Sequence, residues 1–470
     1  MTSAVVVGSG PNGLAAALTL AAEGIEVTVL ERAATIGGGT RSGEATLPGL
    51  LHDECSSAHP LALDTPFSRR FDLAGAGLRF ASAPIEHAHP LDGGRGAAAL
   101  RSAADTATSL GPDAGAWRRL FGTLDARFPR IAEDFLRPML HVPAHPILLA
   151  RFGAYAALPA TAIARRFATD EGRALWAGLA AHAFRPLNAP FSSAIGVALG
   201  TAAHTYGWPV AVGGSRSITD ASARLLRQHG GRIETGVEVT SLDELGGYDV
   251  VLLDTSPRAA AGILGDRAPH RVARAYRRFR HGTAAFQVAL AVQDGVPWTF
   301  EPARRSATLH LGGTFEEVAR SEQETWQGRM PERPFVLLSQ QYLADPSRSQ
   351  GSVHPIDAYA HVPHGFTGDA TEAILGQIER FAPGTRERIV ALAIRTTTQI
   401  STLNPNYVGG DITTGANLGR QLVLRPRAAL DPYTTGVPGV YLCSAATPPG
   451  AGAHGMCGYN AALSALRRLG

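Results

Sequence analysis

The chain has 470 residues, 45% of them hydrophobic, and a formal net charge of +3. That length is too great for one small core and implies two closely joined domains, while so small a charge gives no electrostatic footprint for nucleic acid. The cysteines Cys55, Cys443 and Cys457 form no CxxC pair, which argues against a zinc knuckle, a dithiol redox centre and a disulfide scaffold.

All 43 basic residues are arginine. Such usage suits a GC-rich bacterial genome, and it removes any Schiff-base lysine or lysine general base. The stretch "ILLARFGAYAALPATAIA" from Ile147 is interrupted by Arg151 and Pro159, so no transmembrane helix is expected. The first strand begins by Ala4 with no basic leader before it, and a cytoplasmic location is expected.

The opening residues, "AVVVGSGPNGLAAALTLAAEGIEVTVLER", read as a buried parallel strand over 4–7, a glycine turn, a helix over about 12–23 and a second strand over 26–30. Gly8 permits the tight turn, Gly10 lets backbone approach a pyrophosphate, and Gly13 allows close packing of helix on strand. Pro11 and Asn12 share that turn. Glu31 follows the second strand, where an acid can bind the hydroxyls of an adenosine ribose, with Arg32 beside it.

"GGGTR" then places Gly38, Gly39, Thr40 and Arg41 shortly after the ribose acid. A nicotinamide-dependent Rossmann domain needs no such segment. It resembles the glycine doublet and arginine of the FAD-dependent amine oxidase superfamily, in which they run along the diphosphate and flavin. That resemblance implies FAD and predicts further cofactor segments far along the chain.

Residues 113–203 read as largely helical with several prolines, fit to cap a substrate. Arg118–Arg119 and Arg165–Arg166 flank apolar helices there and admit two readings, a peripheral membrane contact or a solvated face. "YGWPVAVGGSRSITDASARLLRQHGGRIETGVEV" gives a glycine pair, a helix over about 217–229 and a short strand. In the resembling family the valine at the position of Val239 lines the adenine through its backbone. "YDVVLLDTSP" follows as a strand and turn beneath the nucleotide, bringing Thr255 to the cofactor.

"AAFQVALAVQ", "ATLHLGG", "PFVLLSQQ" and "IDAYAHVP" are short β-type runs that predict a mixed or antiparallel sheet in a second domain. Amine oxidases carry a lysine on such a strand, holding water near the flavin; by approximate alignment Gln287 stands there, as a catalytic candidate or an ordinary strand residue.

The end of the chain, "GVPGVYLCSAATPPGAGAHGMCGYNAALSALRRLG", resembles the C-terminal signature of phytoene-desaturase-like flavoproteins, where a last strand, a glycine-rich loop and a final helix meet the flavin. The resemblance assigns Ser444, Ala445, His454, Gly455 and Met456 to the cofactor. Backbone N–H groups at a helix start can stabilise negative charge on the flavin or its diphosphate arm. His454 is the best-placed histidine, catalytic or structural. Pro143 spoils the metal spacing of His141 and His145, and His52, His59, His87, His89, His361 and His364 lie in patterns too degenerate to assign.

These readings converge on an α/β chain with a glutathione-reductase-type FAD-binding Rossmann domain over 1–95, 205–262 and 425–470. A second domain, mixed sheet plus helices, takes 96–204 and 263–424. No second GxGxxG follows a strand, so no resident NADPH site is expected. The expected activity is FAD-dependent dehydrogenation of an apolar molecule, isoprenoid or polycyclic, with oxygen or a quinone as electron acceptor. Flavin-dependent isomerisation and a non-enzymatic prenyl-binding role are the alternatives. No metal is expected.

Overall fold

Five parallel strands bring the two ends of the chain together. In the computed structural model, which describes residues 2–470, their order is Val440–Leu442, Val250–Leu253, Ser3–Val7, Glu26–Glu31, Arg232–Thr235. Ser3–Val7 and Val250–Leu253, at the middle of the sheet, are almost wholly apolar runs, as a sheet covered on both sides requires. Val6 stands opposite Leu252 on one side and Val29 on the other.

Helix Pro11–Ala21 covers one face of this sheet. Proline opens it where its missing N–H costs nothing, and all but its first residue are buried. The final helix, Met456–Leu469, lies across it. The crossing is close because position 458 is glycine: a Cβ there would stand 1.7 Å from the Asn12 carbonyl oxygen. Helices Pro257–Leu264 and His270–Arg277 bury the other face.

The second sheet has seven strands, in the order Ile389–Arg395, Ala284–Gln293, Val353–Val362, Val336–Ser339, Thr308–Leu311, His87–Pro90, Gly96–Ala99. All its neighbours are antiparallel except Thr308–Leu311 against His87–Pro90. Four of these strands fall on the β-type runs read from sequence. His87–Pro90 does not: the expected boundary put it in the first domain, whereas it pairs into the second sheet through Leu309 and Ala88. "HAHP" has no β-branched residue and ends in proline, so it carries little strand propensity of its own, and its place in the sheet comes from its distant partner.

Helix Thr371–Phe381 packs on one face of that sheet. Residues 113–203 form the helical layer, including Ala114–Phe121, Phe128–Phe135, Pro146–Ala156 and Asp170–Ala181, around the fully buried Trp117 and Trp176. Among the described residues no helix is long and apolar enough to cross a membrane.

Candidate functional site

The glycine turn sits at the C-terminal edge of the parallel sheet, the place where open α/β sheets bind ligands. Gly8 has φ +106°, a conformation that favours glycine. Gly13 allows the first helix to press on the turn, since a Cβ there would lie 2.1 Å from the Gly8 carbonyl oxygen. Beneath the turn lies Asp254, which ends the strand Val250–Leu253 and whose carboxylate accepts from Gly13 N at 2.9 Å. Burial pushes its carboxyl up to about 7; the Glu31 charge adds to the rise, and the Gly13 and Gly10 N–H groups oppose it. Sequence reading passed over Asp254. Its signal was an acid directly after four apolar residues, one position before Thr255.

Glu31 is buried at the cleft. Its Oε2 accepts from Ser9 N at 2.9 Å and Ser9 Oγ at 2.6 Å, and Oε1 accepts from Ala33 N at 2.8 Å. Arg41 reaches Glu31 at 3.4 Å and donates to the Thr35 carbonyl at 2.9 Å. Arg32 donates to the Thr402 carbonyl at 2.8 Å. Gly38, Gly39 and Thr40 form one turn of 3-10 helix on the same wall. Gly39 meets a partner not foreseen: a Cβ there would fall 1.8 Å from the Tyr407 hydroxyl. Asn406, next to that tyrosine, accepts from Ser256 N at 2.7 Å and donates to the Asp254 carbonyl at 2.9 Å, tying this loop to the end of the strand.

The C-terminal loop borders the same cleft with Ser444, Ala445 and residues 448–454. Tyr433 Oη donates to the Pro448 carbonyl at 3.0 Å, and the Cys457 thiol meets the carbonyls of Thr447 and Gly450. His454 lines the cleft but its Nδ1 accepts from Met456 N at 3.1 Å, so the ring caps the start of the final helix. Burial lowers its pKa to about 4, which keeps it neutral, and the Ala451 carbonyl partly offsets the drop. Gly455 and Met456, expected at the cofactor, stand behind the loop. A Cβ on Gly455 would face Ala15 at 2.9 Å and Phe67 at 3.1 Å, and Met456 packs in the apolar core. The helix start is turned toward its neighbour helix because Gly455 takes φ +69°.

All these segments surround one cleft of about 820 Å³. Gly8, Gly10, Pro11, Asn12, Val239 and Thr255 line it at the sheet edge, and Phe135, Met139, Leu149 and Phe152 line it under the helical layer. Gln287 does not border it. That residue lies in an adjoining cavity of about 440 Å³ with Asp53, Asp357 and Arg395, separated from the main cleft by Cys55, Ser57 and Tyr359, which border both. Its Oε1 has no hydrogen-bond partner.

Several of the remaining histidines are held by polar partners, whereas His87 is buried with neither ring nitrogen paired. His59 is buried with Nε2 2.9 Å from Ser215 Oγ, and His52 Nδ1 lies 2.7 Å from Asp357 Oδ1. His141 and the backbone of His145 both bond to the Asp134 carboxylate. No described group of three metal-ligating side chains converges. Arg118, Arg119, Arg165 and Arg166 are exposed, Arg166 lying 5.5 Å over the Tyr155 ring.

Two observations test the cleft against a flavin dinucleotide. Asn12 Oδ1 and Thr255 Oγ1 line it at the sheet edge, buried and without partners, as polar atoms awaiting a ligand would be. The glycine turn leaves no side chain where a diphosphate would press, and Glu31 stands at the end of the second strand for a ribose. The residues present fit FAD.

The fold joins a Rossmann half built from both chain ends to a second mixed sheet roofed by helices. The comparisons agree at that level. Residues 6–69 match the NAD(P)-binding Rossmann-like domain family. Pyridine nucleotide-disulfide oxidoreductase domain-containing protein 2 of Rattus norvegicus is 24% identical, over 99% of this chain and 93% of that one. Among solved structures, an oxidoreductase from Methanosarcina mazei superposes with a TM-score of 0.63 at 15% identity, covering 99% of this chain and all of its own. Cyclohexylamine oxidase from Brevibacterium oxydans gives 0.59 at 15% identity, covering 100% and 99%.

Proposed function

We propose that this protein is an FAD-dependent oxidoreductase that dehydrogenates an apolar small molecule, in the manner of the phytoene-desaturase-like branch of the amine oxidase superfamily. The observation that carries this reading is the single cleft, in which a dinucleotide-binding sheet edge opens directly beneath an apolar helical roof. Bound FAD supplies a two-electron acceptor for a hydride leaving a substrate carbon. The chain's own residues do the rest. Glu31 and Asn12 would hold the dinucleotide at the sheet edge, and the loop 444–454 forms one wall of the same cleft. Phe135, Leu149 and Phe152 exclude water from the reacting end.

Desaturation is favoured over amine oxidation because the chain has no lysine to set against the one expected near the flavin of an amine oxidase. With no second dinucleotide turn, the electron acceptor is oxygen or a quinone rather than NADP⁺. Substrate entry is assigned to the helical roof, where Val142 and Ile147 are 90% and 83% exposed near the cleft-lining Met139 and Leu149. A peripheral membrane contact there would deliver an apolar molecule without passage through water.

Anaerobic mixing of the purified yellow protein with a panel of apolar substrates tests the reading. Bleaching of the flavin by an apolar substrate, with recovery on oxygen or a quinone, supports it. Rapid bleaching by NADPH would overturn it in favour of a reductase, and turnover without bleaching would assign an isomerase.

A further inference from the structure

The segment from Asp411 to Arg425 forms one wall of the cleft and carries a positive charge that nothing beside it neutralises. Arg425 is 2% exposed and lines the cleft. Its guanidinium donates only to neutral acceptors: the Ala445 and Gly415 carbonyls and Asn417 Oδ1, each at 3.3 Å, and the Gln421 carbonyl at 3.5 Å. Behind it, Arg185 is 4% exposed and donates from Nη1 to the Asn417 carbonyl, while its Nε has no partner. Asn417 thus touches both guanidiniums, and its own Nδ2 donates to the Ala183 carbonyl at 3.2 Å.

Among the described residues no carboxylate lies within the 4.0 Å of an ion pair from either arginine. Asp411, the acid whose field reaches Arg425, is engaged elsewhere. It accepts from the N–H groups of Gly282, Thr413 and Gly415 and lies 3.4 Å from His281 Nδ1. The same fold neutralises a buried arginine when the role is structural: Arg348, fully buried, has Asp53 at 2.8 Å and Asp345 at 3.3 Å. Burial of a cation without a counter-charge is strongly unfavourable, so two such arginines at one cleft wall point to an anion that arrives with the ligand. The cleft lining also includes the apolar Leu422, Val423, Phe184 and Phe191, with the hydroxyls of Thr413 and Thr414 on the same segment.

We propose that Arg425 binds a carboxylate of the substrate, with Arg185 as a positioning charge behind Asn417, so that the substrate is an apolar molecule ending in an acid. A guanidinium matches a carboxylate in two parallel hydrogen bonds, and those apolar side chains would take the hydrocarbon body. This rests on the flavoenzyme reading for the word substrate, but the anion site is legible without it. The other source of an anion is the dinucleotide, and the experiment separates the two.

Calorimetric titration of the holoenzyme with decanoate and with decanol is the test. Decanoate should bind at least tenfold more tightly to the wild type, a preference that should collapse in Arg425→Gln and shrink in Arg185→Gln, with FAD content unchanged in the latter. Equal binding of acid and alcohol by the wild type would overturn the proposal whether or not the variants fold. Retention of the preference in Arg185→Gln, together with loss of FAD from Arg425→Gln, would assign the arginine to the dinucleotide and also overturn it. A wild type that holds no FAD yet prefers decanoate would sink the flavoenzyme reading and support the anion site.

Discussion

Asp254 is the residue whose surroundings most constrain what the cleft does. Its carboxyl, raised to about 7 mainly by burial, shares the glycine turn with the expected diphosphate. The folded protein holds this proton at pH values where the unfolded chain, near 3.8, has released it. The stabilising contribution is therefore complete below about 4 and is lost as pH rises through 7. A neighbouring diphosphate favours the protonated form further, so FAD affinity should fall between pH 6 and pH 8. In Asp254→Asn that fall should vanish, as measured by equilibrium dialysis at both values. Glu31→Ala removes an acceptor shared by Ser9 and Ala33 as well as the ribose partner. FAD retention should weaken by about ten- to a hundredfold, the range for a hydrogen bond to a charged group; unchanged affinity would remove Glu31 from the ribose site. His454→Ala leaves Met456 N without its acceptor and should cost about 1–3 kcal/mol of stability. Because the ring is neutral and turned to the backbone, the flavin potential should stay the same; a clear shift would restore a catalytic role.

At the scale of elements, the crossing of helix Pro11–Ala21 by helix Met456–Leu469 sets the site. It joins the glycine turn to the C-terminal loop, and Gly458 against Asn12 is its tightest point. Gly458→Ala forces a methyl onto a backbone oxygen, a form of overpacking worth about 1–3 kcal/mol or more. Because Asn12 is also a cleft residue, melting temperature and FAD content should drop together. A fall in stability with normal FAD content would show the two helices to be independent. Gly455 belongs to this packing as well. Sequence placed it at the cofactor, but its Cβ direction points to Ala15 and Phe67, so bulk there would act on folding first. Nothing local distinguishes a glycine facing a flavin from one facing a helix, since both are small residues at a helix start.

Over the whole molecule, the cleft is assembled from the N-terminal turn, residues 237–240, 254–256, 403–407 and the C-terminal loop. A ligand that touches all of them binds the folded state alone and stabilises it by about 2.7 kcal/mol at a hundred times its dissociation constant. Stripping FAD with acid and returning to neutral pH should lower the melting temperature, and adding FAD should restore it. Proteolysis should open first in the loop 404–425, which holds the strand end through Asn406. If apo and holo forms melt together, the cleft does not hold a dinucleotide across these segments.

The Rossmann half was readable in the sequence because its signals are local. An apolar strand, a glycine turn at fixed spacing and an acid after the next strand each follow from backbone sterics and charge within some thirty residues. The same holds for the loop before the final helix, whose prolines and glycines mark a stiff turn wherever they occur. What only the tertiary structure decided is which distant groups meet. Asp254 beneath the glycines, Tyr407 against Gly39, His454 folded back on its own helix and Arg425 without a carboxylate are long-range facts. So is the placing of His87–Pro90 in the second sheet and of Gln287 in a separate cavity. Strand pairing and burial of charge depend on what the rest of the chain brings to a position, and that information does not reside in the neighbours along the sequence.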